Sequence, residues 1–211
     1  MAAKMLRTVS KKSRVGRGTI VAFAACLWLA ACQSLVPTTP PDTYDLTAPE
    51  TFPDLRGATR AQFLILEPSA LSALDRQEIV VKPSDTEILY LDKAQWSDRL
   101  PKLVQARLIE SFENTDRASA VARPGDGLII DYQIVSSLRA FQANISSGVK
   151  EARVALSAKI VSDRTGKVVR TRIFQKAVVL PSTSNNDIVL ALDAAFDALA
   201  RDIVSWTLSA I

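Results

Sequence analysis

Ala152-Arg153-Val154-Ala155-Leu156-Ser157-Ala158-Lys159-Ile160 places an apolar residue at every second position, with Arg153, Ser157 and Lys159 between them. Successive side chains of a strand point to opposite faces, so a period of two describes a strand with one buried and one polar face. The turn Ser162-Asp163-Arg164-Thr165-Gly166-Lys167 follows, and the pattern resumes from Val168 to Leu180. Upstream, Leu128, Ile130, Tyr132, Ile134 and Leu138 alternate with Asp131, Gln133, Ser137 and Arg139. Three long strands joined by short turns predict an antiparallel meander.

Working outward, a short edge strand is expected around Ala118 to Ala122, and a helix before it. Trp96, Leu100, Leu103, Val104, Leu108 and Phe112 recur at spacings of three and four, with Asp98, Arg99, Lys102, Gln105 and Glu110 elsewhere. Pro101 is tolerated in a first turn, so the regular helix is expected to start near Ser97 or Asp98 and to end around Asn114. Three shorter strands precede it: Phe63 to Leu66, Glu78 to Lys82 and Glu87 to Leu91, the last two joined by Pro83-Ser84-Asp85. The chain closes with a second helix capped by Asn186 or Asp187. Ile188, Leu192, Ala195, Phe196, Leu199, Ile203 and Trp206 form its apolar stripe, and Asp197 and Arg201 an exposed pair. The expected fold class is α+β: a mainly antiparallel sheet with two amphipathic helices on one face, a two-layer sandwich.

The N-terminus carries a different message. Lys4, Arg7, Lys11, Lys12, Arg14 and Arg17 precede an uncharged run from Thr19 to Ala31, which ends in Leu29-Ala30-Ala31-Cys32. A basic start, a short apolar run and small residues describe a bacterial secretory signal. The cysteine makes it resemble a lipoprotein signal, cut between Ala31 and Cys32 with lipid attached to Cys32. The alternative is an uncleaved anchor, but the 13 uncharged residues of this run rise only about 20 Å as a helix, against a hydrocarbon core of about 30 Å. Cys26 is a poorer site because Phe23 stands where a small aliphatic residue is usual. Residues 1–31 are therefore read as signal peptide, 32–60 as a lipidated tether, and 61–211 as the domain. Pro37, Pro40, Pro41, Pro49 and Pro53 give the tether its extended character. Tyr44 and Leu46 interrupt it and are expected to dock as a turn.

Removing the signal changes the charge. The chain has 26 Lys+Arg and 22 Asp+Glu; six of the cations and none of the acids lie in residues 1–31. The remaining 180 residues hold 20 basic and 22 acidic side chains, a net charge of −2. A nucleic-acid reading, which needs a basic patch, loses its support. One cysteine remains, so neither an intramolecular disulfide nor a thiolate metal site is expected. The chain has no histidine, which excludes Ser-His-Asp triads, His-assisted thiols and His-based metal sites. Gly125-Asp126-Gly127 lacks the spacing of a phosphate-cradling loop. The expectation is a non-enzymatic protein without cofactor, apart from the lipid on Cys32.

Several runs resemble those of the ABC-type transport auxiliary lipoproteins, which accompany MCE-type lipid transport systems. They are Ile79-Val80-Val81-Lys82-Pro83-Ser84 with Glu87-Ile88-Leu89-Tyr90-Leu91; Gln95-Trp96-Ser97-Asp98-Arg99-Leu100-Pro101-Lys102-Leu103 continuing to Gln105-Ala106-Arg107-Leu108; Asp163-Arg164-Thr165-Gly166; and Ala191-Leu192-Asp193-Ala194-Ala195-Phe196. The resemblance implies a periplasmic lipoprotein serving an ABC transporter that moves phospholipid between membranes. Its implied partners are an MCE-type protein and transporter subunits. The family has no catalytic residues to carry over, and only Cys32 takes a defined role. Gln33, rather than aspartate, after Cys32 is compatible with sorting to the outer membrane.

Candidate contact residues for a partner or lipid are Tyr90, Trp96, Arg153, Arg170 and Arg172. Trp96 equally suits an anchor of the first helix on the sheet. Arg99, Lys102 and Arg107 suit a solvated helix face. Arg153 and Lys159 on one strand, with Arg170, Arg172 and Lys176 on the next, would make a basic sheet face for anionic lipid or a partner, or plain solubilising charge. An adaptor docked on an MCE-type partner, a carrier that shields acyl chains, and a regulator of envelope synthesis are the readings in play. A carrier needs an apolar cavity of several hundred Å³, whereas strict alternation favours a filled core. Homo-oligomerisation stays open.

Overall fold

The computed structural model describes residues 40–53, 55, 58–146 and 148–211. Ala31 and Cys32, the expected cleavage and lipidation positions, lie outside the described residues. The elements are β1 (Asp42–Tyr44), β2 (Gln62–Ile65), β3 (Glu78–Lys82), β4 (Leu89–Trp96), α1 (Leu100–Glu113), β5 (Ala120–Ala122), β6 (Tyr132–Asn144), β7 (Glu151–Ser162), β8 (Val168–Val179) and α2 (Asn185–Leu208). Among the described residues, no helix is long and apolar enough to cross a membrane.

The meander β6-β7-β8 is antiparallel as expected, and its alternation sets the core. Ala152, Val154, Leu156, Ala158 and Ile160 all face inward and are buried. On β6 the inward set begins as Ile134, Ser136 and Leu138 and then changes parity to Phe141 and Ala143. A β-bulge explains the switch: Leu138 pairs with Leu156 but Ala140 pairs with Ala155, leaving the exposed Arg139 as the extra residue. The β7–β8 turn is closed by the Gly166 amide donating to the Ser162 carbonyl at 2.8 Å, with Gly166 at φ 65°, a conformation glycine adopts without penalty.

The rest of the sheet departs from the expectation. The far edge of β6 is shared by two arms. Its start pairs with β2, and its end pairs with β3, both in parallel. Ser69 bridges the gap: its amide donates to the Ser136 carbonyl, and the Leu138 amide donates to its carbonyl. Beyond β2 lies β5, parallel to it; beyond β3 come the antiparallel β4 and then β1, parallel to β4. Four of these seven pairings are parallel. The molecule is α+β with two helices and an eight-stranded mixed sheet curled into a half-barrel, not a mainly antiparallel two-layer sandwich. Short turns dictate only the pairing of strands adjacent in sequence. The connection from β2 to β6 passes through α1 and is long enough to return parallel.

The helices cover the inner face. α2 packs on β6, β7 and β8, and α1 packs on β2, β5 and α2. Pro101 falls within the first turn of α1, where its missing N–H breaks no helical bond. The α2 cap is Ser184, whose hydroxyl accepts the Asp187 amide at 3.2 Å; Asn186 and Asp187 are already helical. Asp187 instead lies in the first turn, where its charge complements the helix dipole. Between helices and sheet, Trp96 meets Phe141 edge-on at 5.7 Å, Phe141 meets Phe196 at 6.2 Å, and Phe63 meets Phe112 at 5.7 Å.

Two segments depart locally from expectation. The sequence predicts an extended tether over residues 32–60 in which Tyr44 and Leu46 dock as a turn; Leu46 does dock and is only 2% exposed, but Tyr44 lies in a strand, β1, that adds to β4. The Thr47 amide and hydroxyl both donate to the Asp193 carboxylate, and the Arg201 guanidinium lies 5.7 Å from the Phe52 ring centre. The folded unit accordingly begins at Pro40. Leu128 and Ile130 were expected in the third-last strand, but β6 starts at Tyr132 and the neighbouring Ile129 is 85% exposed. Asp131 ends the approach: its side chain accepts the Gln62 amide and its carbonyl the Asp163 amide.

Candidate functional site

The five contact residues anticipated from the sequence do not form one surface. Trp96 is 1% exposed at the end of β4, so it anchors the core and presents nothing to a partner. Tyr90 is 39% exposed, with the Arg76 guanidinium 4.8 Å over its ring. Tyr90 pairs with Val80, Val80 with Gln142, and Gln142 with Arg153. Tyr90 and Arg153 therefore lie in one cross-strand row on the face opposite the helices. Arg153 donates to the Glu151 carboxylate at 2.5 and 3.0 Å and lines a depression of about 180 Å³ with Lys82, Asp85 and Asn144.

Arg170 and Arg172 lie elsewhere. Arg170 pairs with Ile160 and Arg172 with Ala158, both inward residues of β7. The proposed basic sheet face is thus divided: Arg153 and Lys159 point to the outer side, while Arg170, Arg172 and Lys176 share the helix side. The two strands run antiparallel, so same-face positions are set by the register across the turn and not by each strand's own alternation. Lys176 pairs with Asp202 of α2 at 2.8 Å. Arg172 lies 5.0 Å over Phe174, which itself meets Trp206 of α2 edge-on at 5.4 Å.

The second region is a groove along α1. Asp45, Asp98, Lys102, Arg107 and Arg123 line an open cleft of about 570 Å³ that continues toward Glu113 and Asp126. Arg107 is its hub, donating to Glu110 at 2.6 Å and to Asp45 at 2.7 Å, while its buried Nε has no partner among the described residues. Burial opposes its charge, but the Glu110 and Asp45 carboxylates outweigh this and raise its pKa. Lys102 and the Arg99 amide both donate to Asp98 and hold its carboxyl below the ordinary range. Arg99 bridges to Asp75 at 2.5 Å and Glu67 at 2.9 Å, tying the start of α1 to the loop after β2. Along its whole length the groove is lined by six carboxylates (Asp45, Glu67, Asp98, Glu110, Glu113 and Asp126) against three cations (Lys102, Arg107 and Arg123), so its lining is acidic overall.

A third feature has no local signal in the sequence. β8 pairs with β7 alone, so among the described residues its other edge has no strand partner. Ile173 is 56% exposed and Val179 64% exposed along it. Exposure on both faces at an edge shows only once the sheet order is known.

Fold and surfaces together describe a module that offers edges and grooves around a buried apolar core. The family model of the ABC-type transport auxiliary lipoprotein component matches residues 44–204, and the chain belongs to that family. It is 37% identical over 169 residues to an uncharacterized protein of Bradyrhizobium diazoefficiens, a match covering 80% of this chain but 45% of that relative, so the chain spans less than half its length. The crystal structure of protein XCC0632 from Xanthomonas campestris is similar at 25% identity, covering 80% of this chain and 96% of that one with a TM-score of 0.74. The hypothetical protein CT253 from Chlamydia trachomatis shares the fold at 10% identity, over 72% of this chain and 97% of that one, with a TM-score of 0.51.

Proposed function

We propose that this chain is a non-enzymatic, lipid-anchored adaptor of an MCE-associated ABC transport system that moves phospholipid between membranes. Cys32 carries the lipid on the periplasmic side of the outer membrane, and the domain docks an MCE-type protein or a transporter subunit. Family membership supports the transport association. The observation that favours an adaptor over a carrier is the packed aromatic core: the contacting rings of Trp96, Phe141 and Phe196 occupy the space between sheet and α2. A carrier would need that space for acyl chains. The clefts along α1 lie outside the core and are lined by ionised side chains, a poor environment for hydrocarbon.

Mild crosslinking of envelopes, purification of the full-length protein and mass spectrometry of what is retained test this reading. An MCE-type protein with transporter subunits is the expected result. Recovery of phospholipid alone would point to a carrier, and recovery of cell-wall enzymes to a regulator of envelope synthesis; either would overturn the adaptor.

A further inference from the structure

We propose that the open edge of β8 binds an extended, acidic segment of a protein partner as an added strand. This edge is defined by its own geometry, whichever machine the protein serves. The twelve-residue strand Val168–Val179 pairs with β7 through eleven residues, all but Val169, a row of roughly 40 Å at the usual rise of a strand. Among the described residues, the opposite side of that row carries backbone groups with no strand beside them. The strand contains no proline, and its one bulge lies at the Val168 end. It is an intact template for strand addition.

Charge decides the occupant. β8 holds Arg170, Arg172 and Lys176 and no acidic residue. Lys176 already pairs with Asp202; among the described residues Arg170 and Arg172 have no carboxylate partner, and the Arg172 guanidinium carbon lies 5.0 Å from the Phe174 ring centre. A second copy, paired two-fold about Ile173, would set Arg170 against the other copy's Lys176. Like charges directly opposite destabilise a ladder. A strand bearing carboxylates two residues apart would meet Arg170 and Arg172 on the helix side. Guanidinium groups receive such carboxylates in bidentate geometry. On the outer side the same strand would lay an apolar residue beside Ile173. The segment that fits an antiparallel addition therefore reads apolar–acid–any–acid.

The test measures binding of fluorescein-labelled peptides to the full-length protein in non-ionic detergent by fluorescence polarisation. The probes are a ten-residue peptide alternating valine and threonine with two glutamates in that pattern, its lysine counterpart, and the glutamate peptide N-methylated along one backbone edge. The glutamate peptide is expected to bind at least about tenfold more tightly than the lysine peptide. R170E/R172E should invert that preference, K159E on the outer face should leave it unchanged, and N-methylation should abolish binding. Amide shifts confined to residues 168–179 would place the contact. Equal binding of both peptides, indifference to R170E/R172E, or no binding at millimolar peptide would overturn the proposal. So would self-association relieved by R170E/R172E, which would assign the edge to a second copy. Binding to phosphatidylglycerol vesicles in place of peptide would assign the arginines to a lipid surface and equally overturn it.

Discussion

Ile160 and Arg170 are direct partners across the β7–β8 ladder, on the face that the helices cover. Ile160 is fully buried and Arg170 exposed, so one cross-strand pair marks where the core ends and the sheet's edge begins. That boundary separates Arg170 from Arg153, which otherwise looks like its neighbour in a basic face.

Trp96 and Tyr90 should respond oppositely to truncation. Trp96→Ala removes a buried ring packed on Phe141 and is expected to destabilise the domain by about 3–5 kcal/mol. Tyr90→Ala, on a partly exposed side chain, should remain within about 1 kcal/mol. Urea denaturation followed by circular dichroism distinguishes them.

Leu46→Ala tests whether the segment before β2 is integral to the fold. Its side chain belongs to the core, between Asp45, which pairs with Arg107 of α1, and Thr47, which donates to Asp193 of α2; its loss should lower stability by about 2–3 kcal/mol. Amide exchange at Ser97, which donates to the Tyr44 carbonyl, should quicken in the variant. Wild-type stability in Leu46→Ala would show that residues 40–60 are a loose tether after all.

Ser184→Ala should weaken α2 by about 1 kcal/mol, because the Asp187 amide loses its acceptor. Asn186→Ala is expected to change stability by only a few tenths, since that residue is already helical. The reverse order in thermal melts would return the cap to Asn186.

Cys32→Ser is expected to release the protein from the membrane fraction when envelopes are separated by centrifugation, with the folded domain unchanged. Full retention of the variant would remove the lipid anchor from the proposed function.

The amino-acid order alone determined the elements that obey local rules. The period of two specified β7 and β8, spacings of three and four specified both helices, and Pro101 marked the first turn of α1, because side-chain direction repeats with the backbone's own geometry. The signal-like run ending at Cys32 is likewise a local pattern. The tertiary structure alone decided which strands lie side by side. The parallel return of β2 and β3 to β6, the pairing of β1 with β4 and the separation of Arg153 from Arg170 all depend on partners distant in sequence. The Arg139 bulge is of the same kind: it inverts the parity of β6 so that Phe141 can reach Trp96 and Phe196. A strand's alternation states that it has two faces. Which face is buried at each position, and which edge stays open, is settled by the neighbours that cover it.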